Sequence, residues 1–287
     1  MTKKAKKQNQ SLKIPKIILV VGQFLSFIST KLTVQFAARL FTTPIKHKTP
    51  KRELEMDQNS RQEILNIPAL KKKIVVYHYG SGEKKILLVH GWSGRGTQLV
   101  KFAEAFQALG FTTVSFDAPA HGKSPGNTTI MTEFVASILE INKQFGPFEA
   151  AVGHSLGGMS LLNAVNDGLQ IKRLTIIGSG DVVKDIINDF TQKLKLHPKI
   201  SDLLQVHFEA KSNRTMDSYS SYQAAKSITI PVLVIHDEND SEVPVRCAHH
   251  IHQHLQHGEL MITQHLGHRK ILGDTSVIQK TTQLTTA

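Results

Sequence analysis

Gly153-His154-Ser155-Leu156-Gly157-Gly158 is the stretch that decides how this chain of 287 residues folds. Before it, Phe148, Ala150, Ala151 and Val152 read as a short strand; after it, Met159 to Val165 read as the start of an apolar helix. A serine between glycines at a strand-to-helix corner fits a G-x-S-x-G elbow, because neighbouring side chains would collide in so tight a turn. The corner lifts the hydroxyl out of the sheet and aims a helix N-terminus at the reacting carbonyl. Short Gly/Ser runs also occur in ordinary loops, so the meaning of the pentapeptide rests on the segments around it.

Those segments agree. Upstream, Ile86-Leu87-Leu88-Val89 is the continuous apolar run of a buried parallel strand, and it ends in His90-Gly91-Trp92. Thr113 to Asp117 is another strand, closed by the tight loop Ala118-Pro119-Ala120-His121-Gly122-Lys123-Ser124. Downstream, Pro231 to His236 leads into Asp237-Glu238-Asn239-Asp240-Ser241-Glu242-Val243-Pro244. Leu260 to Thr263 is a last strand before Gly267-His268-Arg269. Lys73–Tyr79 and Lys85–Val89 read as the leading strands, with Gly80-Ser81-Gly82 as their turn. Strand and helix patterns then alternate to Gly180, which predicts an α/β fold with a mostly parallel central sheet flanked by helices. From 181 to about 227 no core strand is needed, and Ile186-Ile187, Phe190, Leu194, Leu203-Leu204 and Phe208 give a helical periodicity.

From about Ile74 to Ile278 the chain resembles the α/β-hydrolase superfamily, and within it the bacterial lysophospholipase and esterase-like branch. The resemblance is carried by His90-Gly91-Trp92, Asp117 through Ser124, Gly153 through Gly158, Asp240 before Val243-Pro244, and Gly267-His268. Serine, acid and histidine follow one another in that superfamily's order. The resemblance implies a serine hydrolase acting on a carboxylic or lipid ester, without cofactor or metal. Ser155 would be the nucleophile, His268 the base and later the acid, and Asp240 the group that fixes the imidazole tautomer. Backbone N–H groups of Trp92 and Leu156 would hold the oxyanion. It also implies a helical lid at 181–227.

Each role has a rival. Asp237 also follows the strand, but the resemblance favours Asp240, four residues before Pro244; Asp181 occupies the acid position that some relatives use. His265 lies beside His268 but falls at the strand exit. His90 and His121 precede glycines in tight loops, where an imidazole most often satisfies backbone groups. His154 either lines the pocket or packs behind it. Trp92 could wall an acyl pocket or simply pack. His249, His250, His252, His254 and His257 include an i,i+4 pair, yet no carboxylate or cysteine completes a metal site, and Ala248, Ile251 and Leu255 give the segment the apolar face of an ordinary helix.

The single cysteine, Cys247, excludes an internal disulfide and fits a reducing compartment. The formal net charge of +12 lies entirely in Met1 to Arg52, which holds twelve Lys or Arg and no Asp or Glu; the remainder balances at 23 against 23. The chain thus divides into a basic extension, 1–70, and a neutral hydrolase domain, 71–287. Within the extension, Ile17 to Thr30 is uncharged and mostly apolar, but shorter than the ~20 residues of a spanning helix. It is open to four readings: an interfacial helix meeting anionic lipid, a helix packed on the body, a signal-anchor, or a signal peptide lacking a convincing cleavage site. The expectation is a cytoplasmic enzyme, associated with the inner face of the membrane, with a small-molecule or lipid ester as partner. Nucleic acid is not an expected partner, since the basic segment interleaves aliphatics rather than stacking aromatics. Amide, thioester or carbon–carbon bond hydrolysis on the same triad is the runner-up, and a non-catalytic binding protein of the same fold is the rival class.

Overall fold

A computed structural model describes residues 14–210, 212 and 214–286. The basic run Met1–Lys13, read as the start of the extension, lies outside the described residues. Among the described residues eight strands form one sheet: β1 (Arg61–Ile67), β2 (Lys72–Tyr79), β3 (Lys85–Val89), β4 (Thr112–Asp117), β5 (Ala150–His154), β6 (Arg173–Ile177), β7 (Val232–Asp237) and β8 (Gly258–Thr263). Their order is β1-β2-β4-β3-β5-β6-β7-β8, with β1 and β2 antiparallel to their neighbours and the rest parallel. The helices are α1 (Lys16–Ile28), α2 (Thr30–Phe41), α3 (Leu54–Asn59), α4 (Val100–Ala108), α5 (Met131–Phe145), α6 (Leu156–Asn166), α7 (Val183–Lys193), α8 (Lys199–Glu209), α9 (Ser221–Ala225), α10 (Arg246–His254), α11 (Gly267–Lys270) and α12 (Thr275–Thr286).

The apolar runs explain the sheet. β4, β5 and β7 are buried at every position, as strands covered on both faces must be. Alternate residues of β3 face opposite layers. Leu87 and Val89 join Phe134, Ile138, Leu161 and Ile251, from α5, α6 and α10, while Ile86 and Leu88 join Phe102, Phe106 and Val277, from α4 and α12. Because β4 lies on one side of β3 and β5 on the other, the chain reverses its winding direction at β3. The carboxyl ends of β3 and β5 flank that reversal, the kind of place where open α/β sheets bind ligands.

Two readings of the N-terminal third change. β2 and β3 are not neighbours, since β4 lies between them. Their connection passes over the start of β4: a Cβ on Gly82 would overlap the Gly110 carbonyl, and Thr112 donates through N–H to Lys84 O (2.9 Å) and through its hydroxyl to Gly82 O (2.7 Å). The sheet also begins inside the segment assigned to the extension, because β1 pairs with β2 from Arg61 to Ile67. As an edge strand it buries only Ile67, which left little periodic signal.

α1 and α2 form a hairpin turned at Ser29. α2 buries Thr33, Val34, Ala37 and Ala38 against α7 and α8, in a third apolar cluster that also contains Ile187, Leu194, Ile200 and Leu204. That cluster reaches Met159 and Leu156 at the start of α6. Among its described residues the segment 181–227 carries α7, α8 and α9, in line with its periodicity, and α7 and α8 pack against the N-terminal hairpin. Among the described residues no helix is long and apolar enough to cross a membrane.

Candidate active site

The elbow between β5 and α6 is held by absent side chains. Ser155 has φ 53° and ψ −120°, a conformation that a non-glycine residue adopts at a cost of about 1–3 kcal/mol. A Cβ on Gly157 would lie 2.3 Å from Val89 O, and one on Gly153 would lie 2.7 Å from the Gly157 backbone. Only glycine allows β3, β5 and α6 to meet so closely. Ser155 N–H donates to Ile177 O at 2.9 Å, which fixes the serine to the end of β6.

The next residue along β6, Gly178, stands against His268: a Cβ there would lie 3.2 Å from His268 Nδ1 and 3.6 Å from Asp240 Oδ2. His268 is buried and donates from Nδ1 to Asp240 Oδ2 at 2.7 Å. This leaves Nε2 as the basic nitrogen of the neutral ring. Asp240 Oδ1 accepts from the N–H groups of Glu242 (2.8 Å) and Val243 (2.9 Å). Burial alone would raise the Asp240 pKa. The nearby His236 and His268 rings and the Val243 N–H outweigh it and hold the carboxyl well below the usual carboxylate range.

The rivals are occupied elsewhere. Asp237 Oδ1 accepts from Asn239 N–H, and its Oδ2 accepts from the Thr263 hydroxyl (2.8 Å) and Leu266 N–H (3.0 Å). It therefore staples the end of β7 to the loop that delivers His268. Asp181 accepts from His250 Nδ1 (2.5 Å) and Tyr222 N–H (2.9 Å). His265 is exposed, at the strand exit. In the histidine-rich α10, His252 Nε2 donates to Gly258 O and His254 Nδ1 to His250 O.

On the other flank, the loop after β3 runs directly against the serine, since a Cβ on Gly91 would lie 3.0 Å from Ser155 Cβ. The N–H groups of Trp92 and Leu156 make no hydrogen bond with any described residue; Leu156 is the first residue of α6 and has no intrahelical partner. The loop's shape is set by imidazoles. His90 Nδ1 donates to Gly91 O (2.7 Å), and its Nε2 accepts from Ala118 N–H (3.0 Å). His121 Nδ1 donates to Pro119 O (3.1 Å), and its Nε2 accepts from Ser93 N–H (3.0 Å). Both rings satisfy backbone groups. Burial lowers the His90 pKa strongly and brings that of His121 down to about 4, so both rings are neutral at pH 7. Trp92 stacks edge-on against His121.

His154 proves to be a support that its variable place in the pentapeptide does not advertise. It is buried behind the serine and donates from Nε2 to the His268 carbonyl at 2.9 Å. Burial first, then the His268 charge, lowers its pKa to about 3. A second support comes from the extension. Glu53, buried, accepts from the Thr97 hydroxyl (2.9 Å) and pairs with Arg95 (3.2 Å), both on the loop after Trp92. Arg95 also donates to His47 O (3.1 Å), and Ile45 N–H donates to the Ser93 hydroxyl (2.9 Å).

No curated protein sequence matches the chain. Its fold is shared with an esterase from Exiguobacterium antarcticum, 17% identical at a TM-score of 0.63, the alignment covering 79% of this chain and all of that one. It is shared too with alpha/beta hydrolase domain-containing protein 10 from mouse, at 17% identity and a TM-score of 0.62, covering 78% of this chain and 96% of that one. Est1E from Butyrivibrio proteoclasticus, solved with ferulic acid, is 16% identical at a TM-score of 0.59 and covers 78% of this chain and all of its own. The model of the alpha/beta hydrolase family matches residues 86–272, from the strand before His90 to just past His268. The chain belongs to the alpha/beta hydrolase family.

Proposed function

We propose that the protein is a serine esterase, cleaving carboxylic or lipid esters through an acyl-enzyme intermediate. The observation that carries the reading is the 2.7 Å bond from His268 Nδ1 to a buried Asp240, against Gly178 at the end of β6, the strand whose Ile177 carbonyl also anchors Ser155 at φ 53°. Ser155 Oγ attacks the ester carbonyl while His268 Nε2 takes its proton. The imidazolium is stabilised by the ionised Asp240, which also keeps the ring in the right tautomer. The Trp92 and Leu156 N–H groups receive the oxyanion, each contributing about 2.7–4 kcal/mol of transition-state stabilisation. His268 returns the proton to the leaving alcohol; water then repeats the sequence on the acyl-serine. The helices of 181–227 act as the lid, since their apolar cluster reaches Leu156, beside the nucleophile.

A fluorophosphonate probe tests the nucleophile: wild type becomes labelled and Ser155→Ala does not. Labelling of the alanine variant at the wild-type rate overturns the assignment. p-Nitrophenyl esters of increasing acyl length, beside an aryl amide and a thioester, test the bond cleaved. Turnover of the amide or thioester above every ester replaces the esterase reading with the corresponding hydrolase on the same three residues.

A further inference from the structure

The N-terminal hairpin uses its two helices unequally. α2 is packed into the body, whereas the only residue α1 buries completely is Gly22, against the Phe36 ring and Leu196. Ile18 and Leu19 touch the apolar cluster on the same side. The opposite side of α1 carries Ile17, Val20, Phe24, Phe27 and Ile28, all exposed, with Phe27 at 90% and Phe24 at 63%. At ~100° per residue these five fall within an arc of roughly 100°, one continuous apolar stripe. Contiguous exposed apolar surface of this kind marks an interaction site.

We infer that this face of α1 docks onto the surface of an anionic lipid bilayer. Its 13 residues span about 20 Å, too short to cross a hydrocarbon core of about 30 Å but suited to lie along the interface. Charge selects the occupant. Exposed Lys16 opens α1 and exposed Lys31 lies in the first turn of α2, just past the hairpin turn, and Lys3, Lys4, Lys6, Lys7 and Lys13 precede α1 in the sequence. No acidic residue occurs before Glu53. A second copy of the same chain would bring that basic stretch against its like, whereas anionic headgroups neutralise it. The docked helix would not be a loose tether. Gly22 meets Leu196, between α7 and α8, and the shared cluster extends to Leu156. The surface that holds the lipid is thus continuous with the helices over the candidate site.

This inference does not rest on the esterase reading, and the experiment separates the two. The full chain is floated with vesicles of phosphatidylcholine alone and of phosphatidylcholine with phosphatidylglycerol. Expected is binding to the anionic vesicles that falls about tenfold as salt rises from ~0.05 to ~0.5 M. Phe24→Gln/Phe27→Gln alters only exposed side chains; it should keep the circular dichroism of the wild type and lose binding about tenfold. Ser155→Ala should bind like wild type even if it loses all hydrolysis. No binding by the wild type overturns the proposal, as does undiminished binding by the Phe24/Phe27 variant, which would assign attachment to the lysines alone. A dimer dissolved by that variant, with no vesicle bound, would give the face to a second copy.

Discussion

On the His268 flank of Ser155 the supports come from neighbouring strands: Asp237 and Asp240 leave the end of β7, and Thr263 and Leu266 follow β8. On the Trp92 flank they come from far away in the chain. Ile45, His47 and Glu53 reach across to Ser93, Arg95 and Thr97, and all three precede the stretch that the family model matches. One flank is built inside the stretch that the family model matches, the other is finished by a segment that precedes it. The extension is therefore more than a carrier of positive charge, and changes within it should be felt on the Trp92 side of the site.

Breaking the local flank should give the largest effect. Asp240→Asn keeps the shape but lets the ring adopt the wrong tautomer, and kcat on a soluble ester should fall by about 10³–10⁴-fold with little loss of melting temperature. An equal loss in Asp237→Asn would erase the distinction drawn between the two carboxylates.

Acid should weaken both flanks through their buried histidines. Burial brings the pKa of His121, under the Trp92 loop, down to about 4 and that of His154, behind Ser155, down to about 3. Unfolded, both titrate near 6.5. Between those values the unfolded chain binds more protons, so stability is full above pH 6.5 and is lost as pH falls toward 4. Each ring should contribute roughly 1.4 kcal/mol per pH unit in that window. Urea midpoints measured from pH 7 to 4.5 should flatten in His121→Asn and in His154→Asn relative to wild type; an unchanged slope in either would mean that its ring is already charged when folded.

Glu53→Gln sharpens the comparison from the other side. It weakens the hold on Arg95 and leaves every proposed reacting group in place, so kcat should drop about tenfold while KM changes little, the sign of a lost transition-state contact. Wild-type kcat would confine the extension to structural duty. Smallest of all, Asp237→Asn should cost a few-fold in kcat, because an amide oxygen can still accept from Thr263 and Leu266; the pH profile of kcat should stay that of the wild type.

Much of this was readable in the residues because burial leaves runs and motifs. Residues 86–89, 150–152 and 232–235 are unbroken apolar stretches, Ser155 stands between Gly153 and Gly157, His268 follows Gly267, and Asp240 lies four residues before Pro244. The edge strand β1 was not readable, since Arg61, Gln62, Glu63 and Asn66 face solvent or half-buried surroundings and break the alternation. Nor were the ties from Ile45 and Glu53. A single backbone N–H and one carboxylate in a charged stretch have no periodicity, and their value appears only when the loop after β3 is brought beside them. His154 was hidden for a similar reason, because its partner is the backbone of a residue 114 positions away.

Trp92 is the chain's single tryptophan, and it stands on the loop whose N–H is proposed to hold the oxyanion. Its ring lies 5.3 Å from that of His121, the residue that accepts from Ser93. The loop is thus intrinsically labelled: selective excitation of the indole reads this one place and nothing else in the protein. Acidification that charges the imidazole beside it would alter the emission. So would a ligand bound beside the loop, which makes binding visible without chromogenic chemistry.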